Sequence, residues 1–304
     1  MTSERATGAR GHAPRIPSLP CIKHNEVMAA AASEIVQEHV THEPSTALRP
    51  YLGLCTGYRE AGVRPALHRG LPSPWLTVIF TLDEPLAMAA HPDPGQMPGL
   101  FDVLVGALHT GPALITHDGA QSGIQLALSP LAAPALLDLP AGELASIDVH
   151  GADIFGGQAT LVQERLRGER TWAGRFAVLE EFMLTRLRAA DERTGISPEV
   201  QYAWRQLLRT GGRAGVSELA AETGWSERHL RARFRAQTGL APKEAGRVIR
   251  FDRARRRLAR RAAAGQPLAL ADLAASAGYF DQAHLDRDFR LLAGCAPTSW
   301  LAEG

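Results

Sequence analysis

Arginine is the side chain whose number and placement point most directly to chemistry in this sequence. Residues 209–261 hold 14 arginines and one lysine against five acids, a net charge of +10 in a 304-residue chain that carries only +1 overall. A guanidinium can form two parallel hydrogen bonds with a phosphate or with the edge of a guanine. A basic block beside an acidic remainder indicates a polyanion-binding module joined to another domain, and a solvated helical face is the alternative interpretation.

The arginines lie in a sequence that repeats itself. Segment 216–225 matches segment 270–279 with an offset of 54 residues, and after the turn the offset becomes 55. Each copy predicts an apolar helix, a turn on a glycine, a capping residue and a second helix. The paired positions are Gly224 and Gly278 in the turns, Trp225 and Tyr279 beside them, Ser226 and Asp281 as caps, and His229 and His284, which we interpret as packing or capping residues.

This arrangement predicts two helix-turn-helix units, each with a second helix that is free to enter a major groove. Leu230 and Phe234 are four residues apart, so both point inward and leave the other face of their helix exposed. Between the units, Lys243 to about Ala263 predicts one helix of about 31 Å, close to the turn of B-DNA of about 34 Å. The arginines at 255–261 either cover the solvent-exposed surface of this connecting helix or contact phosphates of the DNA backbone.

The C-terminal block, roughly residues 206–302, resembles the DNA-binding domain of the AraC/XylS transcriptional regulators. The resemblance is carried by segment 278–290, Gly-Tyr-Phe-Asp-Gln-Ala-His-Leu-Asp-Arg-Asp-Phe-Arg, followed by Gly294 and Pro297. It implies an all-α domain at 206–304 with two motifs joined by a long helix. It also implies that helices 226–238 and 281–293 read two successive major grooves in double-stranded DNA.

The resemblance assigns roles to individual positions. Ala232 is a departure, because members often have a basic residue there, as Arg287 is in the second motif; the first motif then reads fewer bases or uses Arg228 and Arg231. Base contacts specify sequence, whereas phosphate contacts position the protein. The implied base-reading residues are Arg228, Arg231, Ala232, Gln282, Ala283, Asp286 and Arg287, and the implied phosphate contacts are Ser226, Arg235 and Arg290.

The front half predicts an α+β fold. Residues 1–34 are expected to be a flexible tail, in which only Met28–Val40 suits a helix. Residues 35–205 predict a small barrel or sandwich followed by helices, and they resemble, more weakly, a sensor-type domain that would sense an effector or dimerise. The amphipathic segment Phe176–Ala189 is either a dimer surface or a face that packs on its own domain. The predicted strands are Tyr51–Tyr58, Trp75–Leu82, Phe101–Leu108, Ala113–His117 and Gly123–Leu128.

The sequence offers little catalytic chemistry. It has no phosphate loop, dinucleotide fingerprint, nucleophile elbow or clear metal-ligand set, so we expect no enzyme activity, cofactor or metal. The alternatives are a DNA-tethered repair or modification enzyme, for which Cys21 and Cys55 are too few thiols, and a ligand- or partner-binding protein that has lost DNA binding. No apolar run is long enough to span a membrane. We therefore expect a cytoplasmic, nucleoid-associated bacterial regulator, with an unknown small-molecule effector, RNA polymerase and a second copy of the chain as further candidate partners.

Overall fold

The computed structural model describes residues 35–144, 147–190 and 195–303. The flexible tail predicted for residues 1–34 lies outside these ranges. Within them, no helix combines the length and the apolar character that crossing a membrane requires.

Ten strands form the front of the described chain. They are β1 (Val36–His42), β2 (Leu52–Ala61), β3 (Ala66–Gly70), β4 (Leu76–Thr81), β5 (Leu86–Ala90), β6 (Gly99–Phe101), β7 (Val103–Gly106), β8 (Ala113–His117), β9 (Gln121–Leu128) and β10 (Asp148–His150). One sheet has the order β1-β2-β9-β4-β7-β10 and the other β3-β8-β5-β6. Neighbouring strands are antiparallel throughout.

The sequence left a barrel and a sandwich open. The described strands form two separate sheets and no closed barrel, so the sandwich is the alternative that the structure supports. All five predicted strand segments are confirmed; Ala113–His117 has the predicted ends, and the other four are shifted at one or both ends. The helix predicted for Met28–Val40 is wrong where the chain is described, since Val36–Val40 belongs to β1. This edge strand pairs only with β2 and exposes much of its surface, so its sequence carries little of the apolar alternation that marks a buried strand.

Helices follow the strands. A 3-10 turn at Pro130–Ala132 precedes α1 (Ala133–Leu136), α2 (Ala141–Leu144), α3 (Gly151–Phe155), α4 (Gln158–Gly168), α5 (Trp172–Ala189), α6 (Pro198–Thr210), α7 (Val216–Thr223), α8 (Glu227–Thr238), α9 (Pro242–Ala263), α10 (Leu270–Ala277), α11 (Gln282–Leu292) and α12 (Pro297–Glu303).

Helix α5 packs inside its own domain. Phe176, Leu179, Phe182 and Met183 are all buried, and the ring of Phe182 meets that of Phe80 on β4 edge to face. These apolar residues recur at helical spacing, so one face of α5 covers the outer face of the larger sheet. Of the two interpretations of this helix, the structure supports the intradomain one.

The C-terminal helices are organised around α9, which contacts α6 and α8 on one side and α10, α11 and α12 on the other. The rings of Phe251 on α9 and Phe289 on α11 lie 5.0 Å apart, centroid to centroid. Near the other end of α9, a Cβ on Gly212 would lie 2.0 Å from the carbonyl oxygen of Gly246. Only glycine permits this approach, so α9 packs tightly against the turn between α6 and α7 that leads into the first helix-turn-helix unit.

Candidate nucleic-acid interface

Both helix-turn-helix turns depend on a left-handed glycine. Gly224 has φ +70° after α7, and Gly278 has φ +88° after α10. Each glycine ends its helix in a conformation that costs an L side chain energy, and the next aromatic residue then donates its backbone N–H back to the helix. The donors are Trp225, to Ala220 O, and Tyr279, to Ala274 O.

The N-terminus of each second helix is capped as the sequence predicts. The Ser226 hydroxyl oxygen accepts a hydrogen bond from the backbone N–H of His229 at 3.2 Å. In the second unit, the Asp281 carboxylate accepts one from the backbone N–H of His284 at 2.7 Å. The capping role leaves the Ser226 O–H free to donate to a phosphate, and it gives Asp281 a structural role at the start of α11.

We predict that Asp281→Ala lowers the free energy of unfolding by about 1 kcal/mol, because the first turn of α11 loses its acceptor. Asp281→Asn is the matched control, since its amide oxygen can still cap the helix. Chemical denaturation of the two variants measures the difference. Equal free energies of unfolding would contradict the assigned cap.

The two histidines of the repeat pack against the turn aromatics. The His229 ring meets the Trp225 ring edge to face at 4.5 Å, and the His284 ring meets that of Tyr279 in the same way at 5.1 Å. This matches the packing interpretation of both residues. Among the described residues, no group of three His, Cys, Asp or Glu side chains is arranged to hold a metal ion.

Helices α8 and α11 each turn one face inward and one outward. Leu230 and Phe234 on α8, and Leu285 and Phe289 on α11, are fully buried. The sequence-predicted DNA contacts occupy the opposite faces at positions that correspond with an offset of 55 residues. Those exposed to solvent are Ser226, Arg228, Arg231, Ala232, Arg235, Gln282, Ala283, Arg287 and Arg290, whereas Asp286 is half-buried.

Two of these side chains have notable surroundings. Arg231 forms an ion pair with Glu227 one turn earlier on α8, and both groups stay largely exposed. A pair of this kind contributes little to stability, so the guanidinium can exchange Glu227 for a DNA group at small cost. The Oδ1 atom of Asp286 is shielded from solvent and has no hydrogen-bond partner in the described part of the chain.

The arginines of α9 divide into two groups. Asp252 is buried and pairs with Arg255 at 2.7 Å and with Arg256 at 2.8 Å. Burial lowers the pKa of the Arg255 guanidinium, the nearby Asp252 opposing that effect. Both arginines line a cavity in the front domain. They therefore face the front domain, and among the α9 arginines only Arg253 and Arg260 are exposed without a partner in the described residues.

Sequence reasoning missed the ion pair that joins α11 to α9. Arg247 Nε donates to Asp288 Oδ1 at 2.7 Å, and Asp288 is only 1% exposed. A buried carboxylate needs such a partner, because desolvation penalises an unpaired charge. The sequence did contain a signal for this pair. Asp288 stands next to Phe289, on the inward side of a helix whose other inward residues are apolar, and an acid at such a position indicates a buried partner.

A cavity of about 760 Å³ lies between the inner faces of the two sheets. This size falls within the usual range for small-molecule sites, about 300–1,000 Å³. Part of its wall is an apolar cluster, and the rest mixes polar, charged and further apolar residues. The apolar cluster includes Ile79, Leu86, Met88, Leu104, Ala113 and Ile115, and the polar wall includes Tyr58, His68, His109, His117, Gln121, Gln125 and Asp148.

Burial favours the neutral forms of three ionisable side chains in the cavity wall, Tyr58, His68 and His109. Burial lowers the pKa of His109, and burial followed by the nearby His117 lowers the pKa of His68. Burial also raises the pKa of Tyr58 to about 12, with Glu60 adding to the effect. Neutral imidazoles and a phenol present both donors and acceptors, which suits hydrogen bonding to a ligand.

The front domain also touches the first reading helix. A Cβ on Gly142 of α2 would lie 2.1 Å from the carbonyl oxygen of Ala236 on α8. On the same helix, the Gln237 side-chain oxygen accepts hydrogen bonds from the N–H of Ser197 at 3.1 Å and from its hydroxyl at 3.0 Å. The C-terminal end of α8 is thus held by the front domain and by the segment leading to α6, while its N-terminal end carries the exposed arginines.

Cys55 offers no support for thiol chemistry. Its side chain is buried, and burial, followed by the charge of Glu180, raises the pKa of the thiol to about 12. A thiol of that pKa remains protonated at neutral pH and is a poor nucleophile. The structure therefore gives no alkyl-acceptor cysteine at this position, as the repair-enzyme alternative would need.

Comparisons with known proteins agree with this geometry. Residues 219–303 match a family model described as a helix-turn-helix domain, and no curated protein matches the chain. The chain is similar in fold to unsaturated fatty acid-bound wild-type ToxT from Vibrio cholerae strain SCE256, with a TM-score of 0.50 at 10% identity, over 86% of this chain and 96% of that one. It is also similar to the C-terminal domain of AraT, a response regulator from Geobacillus stearothermophilus, with a TM-score of 0.32 at 18% identity, over 36% and 88%.

The family match spans both units of the repeat from α7 to α12, and the two capped, outward-facing helices lie inside it. Residues 219–303 therefore form an AraC-type helix-turn-helix domain at the C-terminal end of the described chain.

Proposed function

We propose that the chain is a sequence-specific transcription regulator whose helices α8 and α11 read two successive major grooves of double-stranded DNA. The observation that carries the proposal is the pair of equivalent outward faces on these helices, rich in arginine and free of core contacts. In this proposal Arg228, Arg231, Ala232 and the matching residues of α11 contact bases, while Ser226, Arg235 and Arg290 contact phosphates. Helix α9 has 22 residues, about 33 Å, which suits a spacer between grooves one turn apart.

The half-buried Asp286 fits the same proposal. A carboxylate in the major groove accepts a hydrogen bond from the N4 amino group of cytosine. The Oδ1 atom of Asp286 is shielded from solvent, so in this proposal DNA meets the part of the half-buried side chain that remains accessible.

We also propose that residues 35–205 sense a small molecule in the cavity and transmit its presence to residues 206–304. Two contacts support this route. Arg255 and Arg256 of α9 line the cavity together with Trp300 of α12, and α2 lies against the end of α8. In this proposal, a ligand that moves either contact displaces α8 or the α9 helix on which both motifs pack, and such a coupling between two sites is what allosteric regulation requires.

The central test is the affinity of the whole chain for DNA as salt is raised. We expect selection from random duplexes to yield a preferred site, and the affinity for that site to fall steeply between about 50 and 200 mM salt, because each arginine–phosphate contact releases counterions. A mobility-shift titration with the selected site and a scrambled control measures both properties. Equal affinity for the two duplexes would leave a partner-binding protein with vestigial motifs as the better interpretation.

A further inference from the structure

Phe280 is the large apolar side chain most exposed to solvent in the described chain. It is 94% exposed, ahead of Met97 at 79% and Ile35 at 66%. Its neighbour Tyr279 is buried and packs on His284, so the two adjacent aromatic residues face opposite ways. Phe280 therefore contributes nothing to the core, and its apolar surface is available to whatever the second motif binds.

Phe280 is also the residue that makes the second turn longer than the first. Trp225 is followed directly by the capping Ser226, whereas Phe280 stands between Tyr279 and the capping Asp281. The change of offset from 54 to 55 residues between the two motifs falls at this point. The second unit thus differs from the first by one additional aromatic residue at the entrance to its reading helix.

The position of Phe280 places it at the end of α11 that approaches the bases. It precedes the N-cap of α11, and the exposed Gln282 and Ala283 follow within three residues. In helix-turn-helix complexes, the N-terminal residues of the second helix lie against base edges. Arg287 and Arg290 lie further along the exposed face of the same helix and suit a polyanionic partner.

The major groove displays one apolar group that such a residue can recognise, the C5 methyl of thymine. From this geometry we infer that Phe280 is a specificity-determining residue of the second motif, in contact with a thymine methyl group. The inference rests on the proposed DNA reading by α11. It adds a large apolar contact to a face whose other proposed base contacts are the small Ala283 and the polar Gln282, Asp286 and Arg287.

The test uses the full chain and the duplex selected for tightest binding. Each thymine in the half bound by the second motif is replaced in turn by deoxyuridine, which removes one methyl group and leaves base pairing intact. We expect the wild-type chain to lose about fourfold in affinity at one thymine, the loss of one buried methyl group. Phe280→Ala should bind the unmodified duplex more weakly by a similar factor and be indifferent to deoxyuridine at that position.

Met97→Ala is the control, because it removes a comparably exposed apolar side chain from the front domain. It should show the wild-type deoxyuridine profile. Thermal unfolding of Phe280→Ala should match the wild type, which separates loss of contact from loss of fold.

Three results would overturn the inference. The first is the same deoxyuridine profile for Phe280→Ala and the wild type, and the second is a selected half-site without thymine. The third is an equal loss of affinity by Phe280→Ala for all duplexes, which would indicate contact with the sugar–phosphate backbone or with a protein. A wild-type chain that selects no sequence at all is a different result, because it overturns the proposed function itself.

Discussion

Replacing Arg287 by alanine is expected to reduce discrimination between the selected site and a site with one altered base pair by about 5- to 150-fold. This range corresponds to the roughly 1–3 kcal/mol that a bidentate contact between arginine and guanine contributes. Arg287 is exposed on the outward face of α11, so its loss leaves the core intact. Arg231→Ala should have an effect of the same kind on the first half-site, because Arg231 is held only by an exposed ion pair with Glu227.

Arg233 provides the matched control for Arg231. It is an exposed arginine on α8, but at 100° per residue it lies away from the face formed by Arg228, Arg231 and Arg235. Arg233→Ala removes the same charge from the same helix and should weaken binding to all sequences alike. Competition between the selected and altered duplexes measures discrimination directly. If Arg233→Ala and Arg231→Ala relax specificity equally, net charge and not placement governs recognition.

Replacing Gly142 by alanine is expected to destabilise the folded chain by about 1–3 kcal/mol, the usual cost of overpacking. The new Cβ would meet Ala236 O at 2.1 Å and Arg235 O at 2.7 Å, and both are backbone atoms of α8 that cannot turn aside. The contact between α2 and α8 must therefore open. Chemical denaturation measures the loss, and amide hydrogen exchange in the last turn of α8 reports whether the contact has separated.

Gly168→Ala is the control for this substitution, since a Cβ at Gly168 meets nothing within 4 Å. Its free energy of unfolding should equal or slightly exceed that of the wild type, because alanine restricts the unfolded chain more than glycine does. Equal destabilisation by the two substitutions would show that the close approach at Gly142 is not a real constraint.

The sequence predicted the C-terminal domain well because its signals are local. A left-handed glycine, a capping side chain and apolar residues four apart each act within one or two helical turns, and Gly224, Ser226 and Leu230 illustrate all three. The repetition of the pattern at Gly278, Asp281 and Leu285 made the interpretation specific. The roles assigned to the outward residues stay predictions, because they depend on a partner.

The front domain was harder to predict because it depends on contacts between distant residues. The cavity exists only once β3 and β8 face the larger sheet, and no local pattern marks that arrangement. Strand β1 was misread because an exposed edge strand needs few apolar residues. The pairing of Asp252 with Arg255 and Arg256 was equally hidden, since a buried acid in an arginine-rich helix looks the same in sequence as an exposed one.

The way α9 is shared between the two motifs has a consequence for the evolution of the binding site. Helix α9 meets the second unit through the Phe251–Phe289 ring contact and the Arg247–Asp288 ion pair, and its Gly246 lies against Gly212 in the turn that leads into the first unit, so these contacts fix the spacing of the two units. Half-sites for such a protein cannot drift apart by single base-pair insertions, since each insertion rotates one half by about a tenth of a helical turn away from its reader. Promoters under its control should therefore vary in bases within each half while keeping one fixed phase.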